Sequence, residues 1–414
     1  MRVALLSRSV HPLHPPGGME RAVFQLATHL RAAGVETILL TRPRTEAASR
    51  FPGDVIEIPY GPAGSGHGRI LDRTLRYPRF ALRLGDVVAN LVREGRVDVI
   101  DAQGLTALGY GRQRRRDVEL HAPLVMNPQG MEEHKTRGLK RLALTRLRRL
   151  SREAARLADR VVATDEATRA EVPRLLGVDA SRVVVLPNGI DDDEIRRVTP
   201  ADPLAAVRAV FPALDGAFPV FLSVGRIEAY KGFGDTLQAL AIVASALPPR
   251  WAWVVVGEGP QRGDLMRDAA AWNERAAAAA RSTRGPIEGH VHVVGRVEES
   301  LLHALYERAD VFVHATRYEG SSLVTLEAMA HTLPVVATRA GGIPDKVSQA
   351  SGRLLEPGDI VGLGQAMLEL SGDAALRREL GLAGRDRALR HFSWPALARR
   401  AIALYETLLR MPRS

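Results

Sequence analysis

"DVFVHATRYEGSSLVTLEAMAHTLPVVATRAGG", residues 310–342, contains the succession strand, loop, helix and strand. The apolar run "VFVHA" predicts a buried strand, and "SLVTLEAMA" predicts a helix with Ser321 or Ser322 as its N-cap. The run "PVVAT" predicts the next strand. Strands joined through a helix run parallel, and parallel sheets are covered by helices on both faces. This stretch therefore predicts an α/β fold.

The same alternation extends along the chain in both directions. Strand-like runs such as "VALLS", "ETILLT", "VDVIDA" and "RVVVLPNG" form one series, and "PVFLSVGR", "WAWVVVGEG" and "HVHVVG" belong to a second. A polar stretch with Pro and Gly separates the two series between about residues 190 and 218. We predict two doubly wound, Rossmann-like domains that face each other across a cleft, with a helical tail docking back on the first domain. The predicted ranges are 1–198, 199–384 and 385–414.

The composition restricts the class of protein. The chain has 414 residues, 46% of them hydrophobic, which is too many for one ordinary core. It has no run of 18 apolar residues and no signal-peptide pattern, so we expect a cytoplasmic protein. The absence of cysteine excludes disulfides, thiolate metal sites and a cysteine nucleophile. Only four of the 57 basic residues are lysines, so an arginine carries little information and a lysine is the rarer choice.

Two cations lie in the loop that follows the first strand of the second series. In "LSVGRIEAYKGFGDTL", Arg226 and Lys231 precede a predicted helix. A guanidinium and an ammonium beside a helix N-terminus suit a phosphate or diphosphate. The alternative is a surface loop with two solvated cations.

Glycines mark two further loops at strand ends. Gly17 and Gly18 lie between the first strand and a helix, but "PPGGMERAV" is neither a Walker loop nor a GxGxxG fingerprint. Gly257 and Gly259 follow the strand in "VVVGEGP", and we expect this turn to line the crevice and to contact a base or diphosphate. A plain turn is the more frequent explanation for a pair such as Gly17 and Gly18, and it explains Gly257 and Gly259 at least as well as a site does.

Two carboxylates, Glu319 and Glu327, flank the helix start formed by Ser321, Ser322 and Leu323. The first N–H groups of this helix form an anion site that would contact the same diphosphate. Glu327 would accept hydrogen bonds from ribose hydroxyls, and Glu319 would face sugar hydroxyls or a partial positive charge. A nucleotide sugar satisfies both. Alternatively, either glutamate is a solvated acid at a helix start.

Several stretches together resemble a family. "GGMERAVFQLATHLRAAGVE", "PNGID", "SVGRIEAYKG", "VVGEGP", "EGSSLVTLEAMAHTLPVVATRAGGIPD" and the terminal "FSW" look like the retaining nucleotide-sugar glycosyltransferases of family 4, which have the GT-B fold. The E-x7-E element of that family is matched by Glu319 and Glu327. The resemblance implies that Arg226 and Lys231 bind the donor diphosphate, that Glu327 binds the ribose and that Glu319 lies near the donor sugar.

The resemblance also implies that Gly17 and Gly18 lie under the phosphates. At two places, however, the sequence departs from the pattern of the family. Gln129 stands where many members have a histidine beside the reacting sugar, and its amide is suited to binding a sugar hydroxyl. Ser321 and Ser322 replace the commoner aromatic residue and glycine.

The family resemblance implies a reaction in which the acceptor attacks from the side of the leaving group. A hexose-type sugar would pass from a nucleotide-diphosphate donor to a hydroxyl acceptor, which is a glycan, a lipid-linked compound or a small molecule. Stabilisation of the departing diphosphate by Arg226, Lys231 and helix N–H groups would be the main catalytic term. The run Asp191 to Asp193 invites a metal site, but helix capping explains it better, and we expect no metal or cofactor.

Two basic segments bear on partners. The segment "HKTRGLKRLALTRLRRLSREAARLAD" has an apolar helical face with Leu147 and Ala154, and arginines elsewhere. It would either lie peripherally on anionic lipid at the inner membrane surface or form an ordinary solvated helix over a core, and the second is favoured. The run "RQRRR", Arg112 to Arg116, has no aromatic platform, so we expect no nucleic-acid partner.

Three other functions remain open at this stage. A nucleotide-sugar epimerase would keep the donor site without an acceptor, and a silent binding protein would bind donor without turnover. A phosphorylase with a pyridoxal Schiff base on Lys231 is the remote third alternative.

Overall fold

The computed structural model describes residues 1–15, 18–45, 50–61, 72–128, 131–136, 138, 142–282 and 289–411. The chain divides into two compact units, residues 1–188 with 394–414 and residues 189–393. The boundary predicted after residue 198 thus lies ten residues beyond the division, because Ile190 and helix 192–198 belong to the second unit. Ile190 forms a parallel bridge with Ser393 there.

Unit 1 is built on a seven-stranded parallel sheet with the strand order β3-β2-β1-β4-β5-β6-β7. Its strands are β1 Arg2–Leu6, β2 Glu36–Thr41, β3 Asp54–Glu57, β4 Val99–Gln103, β5 Leu124–Asn127, β6 Arg160–Ala163 and β7 Val183–Val185. Its helices are α1 Gly18–Ala32, α2 Tyr77–Arg93, α3 Ala107–Arg114, α4 Glu132–Lys135, α5 Thr145–Leu157 and α6 Glu166–Leu176.

Alternation along the strands creates a core on each face of this sheet. Val3 and Leu5 point into one apolar cluster, and Ala4 and Leu6 point into the other. Both faces are covered because helices lie in the connections that follow β1, β3, β4, β5 and β6.

Unit 2 contains a six-stranded parallel sheet with the order β10-β9-β8-β11-β12-β13. Its strands are β8 Val220–Val224, β9 Ala252–Val256, β10 His290–Gly295, β11 Val311–His314, β12 Val335–Thr338 and β13 Gly352–Leu355. Its helices are α7 Asp192–Val198, α8 Pro203–Val210, α9 Phe233–Val243, α10 Arg262–Ser282, α11 Glu299–Arg308, α12 Leu323–Ala330, α13 Ile343–Lys346, α14 Ile360–Gly372 and α15 Ala374–Phe392. In both units the strand order reverses beside the first strand, so two doubly wound α/β units are confirmed.

The last helix, α16 Trp394–Arg410, belongs to unit 1. Leu397, Ala401 and Tyr405 are buried in the cluster that also holds α1 residues. The Tyr405 hydroxyl donates a 2.6 Å hydrogen bond to Asp101 Oδ2 inside the unit. The predicted tail of residues 385–414 is therefore divided at Ser393, with α15 in unit 2 and α16 packed on unit 1.

The two basic segments singled out in the sequence contact other parts of unit 1. Leu147 and Ala154 of α5 lie in the core, and Leu150 packs against it. Arg112 and Arg114 form ion pairs with Glu153 and Asp159. Among the helices of the described residues, none is long and apolar enough to cross a membrane.

Candidate active site

The loops that leave β8 and β11 are fastened to each other at the carboxyl edge of the unit 2 sheet. The backbone N–H of Arg317 and the hydroxyl of Thr316 both donate to the carbonyl of Tyr230, at 2.6 and 3.1 Å. The Arg317 guanidinium binds Asp235 through two hydrogen bonds of 2.9 and 3.1 Å. These contacts fix the positions of side chains on both loops.

Gly232 allows the closest approach between these loops. Its φ is +71°, and a Cβ added there would lie 1.8 Å from the carbonyl oxygen of Ala315. Any side chain would therefore push the β8 loop off the end of β11. The conformation of this glycine is what lets Lys231 stand beside the β11 loop.

Glu319 is held by one side chain from the loop that follows β8 and by another from the end of β11. Its Oε2 atom lies 2.7 Å from Lys231 Nζ and 2.8 Å from Nε2 of His314, the last residue of β11. Because an ionised carboxylate only accepts, His314 Nε2 carries the proton of that bond. Both contacts are to Oε2, and no described residue hydrogen-bonds Oε1. Only 14% of the Glu319 side chain is exposed.

These partners control the charge of Glu319. Burial alone would raise the pKa of Glu319, but the hydrogen bond and charge of His314, together with Lys231, lower it to about 2. The site therefore holds an anionic carboxylate at any physiological pH, with one oxygen committed to the protein.

Glu327 lies in α12, and its carboxylate is positioned from α11. The Tyr306 hydroxyl donates to Glu327 Oε2 at 2.9 Å and lies 3.4 Å from the carbonyl of Val324. Tyr306 is fully buried and stacks on His331, with ring centroids 5.3 Å apart. Burial, followed by the charge of Glu327, raises the pKa of Tyr306 well above its usual range. The phenol therefore stays a hydrogen-bond donor.

A buried histidine pair lies behind this contact. His303 Nδ1 is 2.8 Å from His331 Nε2, and His331 Nδ1 is 2.6 Å from Glu307 Oε1. Burial, then the neighbouring His331, lowers the pKa of His303 to about 4. His303 is thus neutral at pH 7, and the chain from Glu307 to His303 is a packed, hydrogen-bonded support for Tyr306.

The start of α12 differs in detail from the sequence prediction. Ser322 occupies the N-cap position, but its hydroxyl bonds the Thr325 hydroxyl at 2.8 Å and makes no capping hydrogen bond with the helix backbone. Ser321 accepts a 3.2 Å hydrogen bond from Lys346 Nζ, and Leu323 is the first helical residue. Lys346 is buried beside this helix start.

Other predicted residues are placed as follows. Arg226 is 72% exposed and pairs with Glu228 at 3.1 Å. Gly257 has a φ of +153° and packs against the carbonyl of Gly225, which a Cβ would meet at 1.8 Å. Its N–H donates to the carbonyl of residue 295 at 2.8 Å, so that donor is used within the protein. Gly18 begins α1 in unit 1.

Two of the predicted site residues, Gly17 and Gln129, lie outside the described residues. Capping by Asp191 is confirmed, since its side chain accepts hydrogen bonds from the backbone N–H groups of Asp193 and Glu194. Within the described ranges, no three His, Asp or Glu side chains are grouped as metal ligands.

Sequence reasoning missed His314, Tyr306 and Lys346. His314 and Tyr306 lie among apolar residues of a strand and a helix, so the sequence pattern indicates ordinary core residues at both positions. Lys346 carried a signal, because it is one of four lysines in the chain and follows the "GGIPD" stretch.

Comparison with known proteins identifies the class. The chain matches family models described as "Glycosyltransferase Family 4" over residues 16–194 and "Glycosyl transferases group 1" over residues 218–373. It is 30% identical to a D-inositol 3-phosphate glycosyltransferase of Kineococcus radiotolerans, over 98% of this chain and 94% of the relative. It is 27% identical to a glycogen synthase of Mycobacterium tuberculosis, strain H37Rv, with the same coverage of both chains.

A solved structure shows the same fold. The catalytic domain of starch synthase IV from Arabidopsis thaliana, bound to ADP and acarbose, aligns with a TM-score of 0.72 at 15% identity over 99% of both chains. The two parallel-sheet units are those of a GT-B glycosyltransferase. The chain belongs to glycosyltransferase family 4, as the resemblance predicted.

Proposed function

We propose that this glycosyltransferase is a retaining enzyme that moves a hexose-type sugar from a nucleotide-diphosphate donor to a hydroxyl acceptor. The observation that carries the proposal is the ion pair between Lys231 and Glu319, in the loops that follow β8 and β11, together with the contact from His314 to the same carboxylate. Glu327 follows Glu319 by eight residues on the next helix. The ADP in the starch synthase structure supports a nucleotide diphosphate as part of the donor.

The cations of this edge would bind the diphosphate. Lys231 has three N–H donors, of which one contacts Glu319, so the ammonium can serve the carboxylate and a phosphate oxygen together. Arg226 is largely exposed and available for a second contact. The first backbone N–H groups of α12 are not capped by Ser322 and would bind the same anion. Together these groups stabilise the negative charge on the leaving diphosphate.

Glu319 would act on the sugar. Its Oε1 atom accepts no hydrogen bond from the described residues, which leaves it for a sugar hydroxyl or for positive charge developing at the anomeric carbon. Because His314 and Lys231 hold the carboxylate ionised, this interaction strengthens in the transition state. Glu327, oriented by Tyr306, would hold the ribose hydroxyls. We infer that the acceptor hydroxyl attacks from the leaving-group side, with its proton passing to the departing phosphate oxygen.

The remaining roles are proposals of the same kind. Gln129 would bind a sugar hydroxyl, and Gly17, Gly18 and Gly257 would lie beside the donor. No metal is required in this scheme, because Arg226 and Lys231 supply the positive charge at the diphosphate. Peripheral contact of the α5 segment with an anionic membrane is less favoured than packing over the core, since the apolar side of α5 packs into the core.

A donor screen followed by product analysis tests the proposal. Nucleotide sugars that raise the melting temperature of the full chain are offered with hydroxyl acceptors, and the anomeric configuration of the product is read by NMR. We expect retention, with turnover reduced far more than donor affinity in Glu319→Gln. An inverted product contradicts the mechanism. Interconversion of nucleotide sugars without an acceptor would indicate the epimerase, and donor binding without any turnover would indicate a binding protein.

A further inference from the structure

Two arginines follow neighbouring strands at the carboxyl edge of the unit 1 sheet. Leu6 of β1 pairs with Leu40 of β2, and both point into the same apolar cluster. Arg8 and Arg42 each follow these partners by two residues and lie just beyond the ends of β1 and β2. The Thr41 hydroxyl donates to the carbonyl of Arg8 at 3.3 Å, which keeps the two strand ends together.

The position is one where α/β sheets bind ligands. The order of the unit 1 sheet reverses at the neighbours β1 and β4, and ligands lie outside the carboxyl ends of strands at such a point. Arg8 follows β1, and its guanidinium lies 5.0 Å from the ring centre of Tyr77. The Tyr77 hydroxyl in turn bonds the carbonyl of Gln103, the last residue of β4, at 3.3 Å.

Of the two guanidinium groups, that of Arg8 pairs with a carboxylate. Arg8 Nη1 lies 3.4 Å from Asp72 Oδ2, and the Tyr60 hydroxyl occupies Asp72 Oδ1 at 2.9 Å. Arg42 makes no hydrogen bond or ion pair with any described residue, and its Nε is buried without a partner. Burial, then the positive charge of Arg8, lowers the pKa of Arg42, which agrees with the two cations being close.

A buried donor left without an acceptor is unfavourable, so this arrangement favours a bound anion. Planar guanidinium groups match the oxygens of a phosphate, and two of them hold it more tightly than one. Asp72 neutralises only one of the two charges and is already hydrogen-bonded by Tyr60. The excess positive charge and the unused Nε donor are therefore both at Arg42.

We propose that Arg8 and Arg42 bind a phosphate group on the acceptor, so that the sugar is transferred to a phosphorylated hydroxyl compound. This inference rests on the proposed function, since it assumes that unit 1 binds the acceptor. The phosphate could belong to a water-soluble sugar or polyol phosphate or to a phospholipid headgroup. Both present the same phosphate oxygens to the two arginines.

Direct binding measured without donor tests the inference independently of turnover. Glycerol 3-phosphate, glucose 6-phosphate and inositol 1-phosphate are titrated into the full chain beside glycerol, glucose and inositol, at fixed ionic strength. Vesicles of phosphatidylcholine with and without phosphatidylinositol form the lipid arm. We expect a phosphate-bearing probe to bind at least tenfold more tightly than its phosphate-free counterpart. Binding of the soluble esters identifies the soluble source, and binding of phosphatidylinositol vesicles alone identifies the lipid.

The variants assign the phosphate to the pair. Arg42→Gln should weaken phosphate binding by about tenfold to a hundredfold, as expected for lost charge-assisted hydrogen bonds. Arg8→Gln should act in the same direction. Arg44→Gln is the matched control, because Arg44 lies two residues away and its guanidinium pairs with Glu57 at 2.5 Å.

Three results would overturn the inference. The first is that no probe prefers its phosphorylated form, and the second is that Arg42→Gln binds phosphate like the wild type. The third is that Arg42→Gln and Arg8→Gln weaken donor binding and leave phosphate-ester binding unchanged, which would assign the pair to the donor diphosphate. A failure of the proposed function is distinct from all of these, because it would show as absence of nucleotide-sugar binding and transfer.

Discussion

The charge of Glu319 predicts how the stability of unit 2 depends on pH. The pKa of this carboxyl is lowered from 4.5 to about 2, so its ionised form is favoured in the folded state. A depressed carboxyl pKa contributes stability that is present above the unfolded value and is lost as the pH falls through 4.5 toward 2. The perturbation is Glu319→Gln, which removes the titrating group and keeps the shape.

The size of the effect follows from the shift. A difference of roughly 2.5 pKa units corresponds to about 3.4 kcal/mol at most, of which about 2 kcal/mol is lost between pH 7 and pH 3. The stability difference between wild type and variant should therefore shrink by about 2 kcal/mol on acidification.

Urea unfolding followed by tryptophan fluorescence measures this difference. Three of the four tryptophans, Trp251, Trp253 and Trp272, lie in unit 2, so the signal reports mainly on that unit. Glu228→Gln is the control on the same loop, since Glu228 pairs with the exposed Arg226 and such pairs contribute roughly 0–1 kcal/mol. Parallel pH curves for wild type and Glu319→Gln would refute the assignment of the ion pair.

Two further predictions concern buried phenols. Tyr306→Phe removes the hydrogen bond to Glu327 and should weaken donor binding about threefold to tenfold with little change in turnover, and a 2′,3′-dideoxy donor should bind wild type and variant equally. The control is Tyr110→Phe, which loses a similar buried hydrogen bond to the carbonyl of Ala122. A lower turnover at unchanged donor affinity would contradict the role of Tyr306. Tyr405→Phe removes the hydrogen bond to Asp101, which keeps Gln103 as a partner, and should destabilise unit 1 by about 1–3 kcal/mol in thermal or urea unfolding. An unchanged unfolding midpoint would show that α16 is held by apolar packing alone.

The fold could be predicted because burial on both faces leaves a strong signal. Runs such as "VFLSV" and "AWVVV" are buried along their whole length and are almost continuously apolar. The segments between such runs have the helical spacing of apolar residues instead. The division of the tail at Ser393 could not be predicted in the same way. The helical pattern continues from α15 into α16, and nothing local in the sequence shows that Tyr405 reaches Asp101, which lies 304 positions earlier in the chain.

The candidate site was predictable in part. Glu319 and Lys231 stood out because they lie in polar loops after strands, and the structure brings them together across 88 positions of sequence. His314 was hidden, because a histidine that ends an apolar strand has the same pattern as a core residue. Arg8 and Arg42 were hidden for another reason, since a chain rich in arginine gives a single arginine no weight.

Donor affinity in Lys231→Ala is the measurement that tests the central claim most directly. Titration of the stabilising nucleotide sugar into the folded variant should show a loss of roughly tenfold to more than a hundredfold, the range expected for one charge-assisted contact with the diphosphate. Arg353→Ala, which breaks the surface pair with Glu369 in the same unit, should bind donor like the wild type. Unchanged donor affinity in Lys231→Ala, or an equal loss in both variants, would contradict the placement of the diphosphate at the Lys231–Glu319 edge.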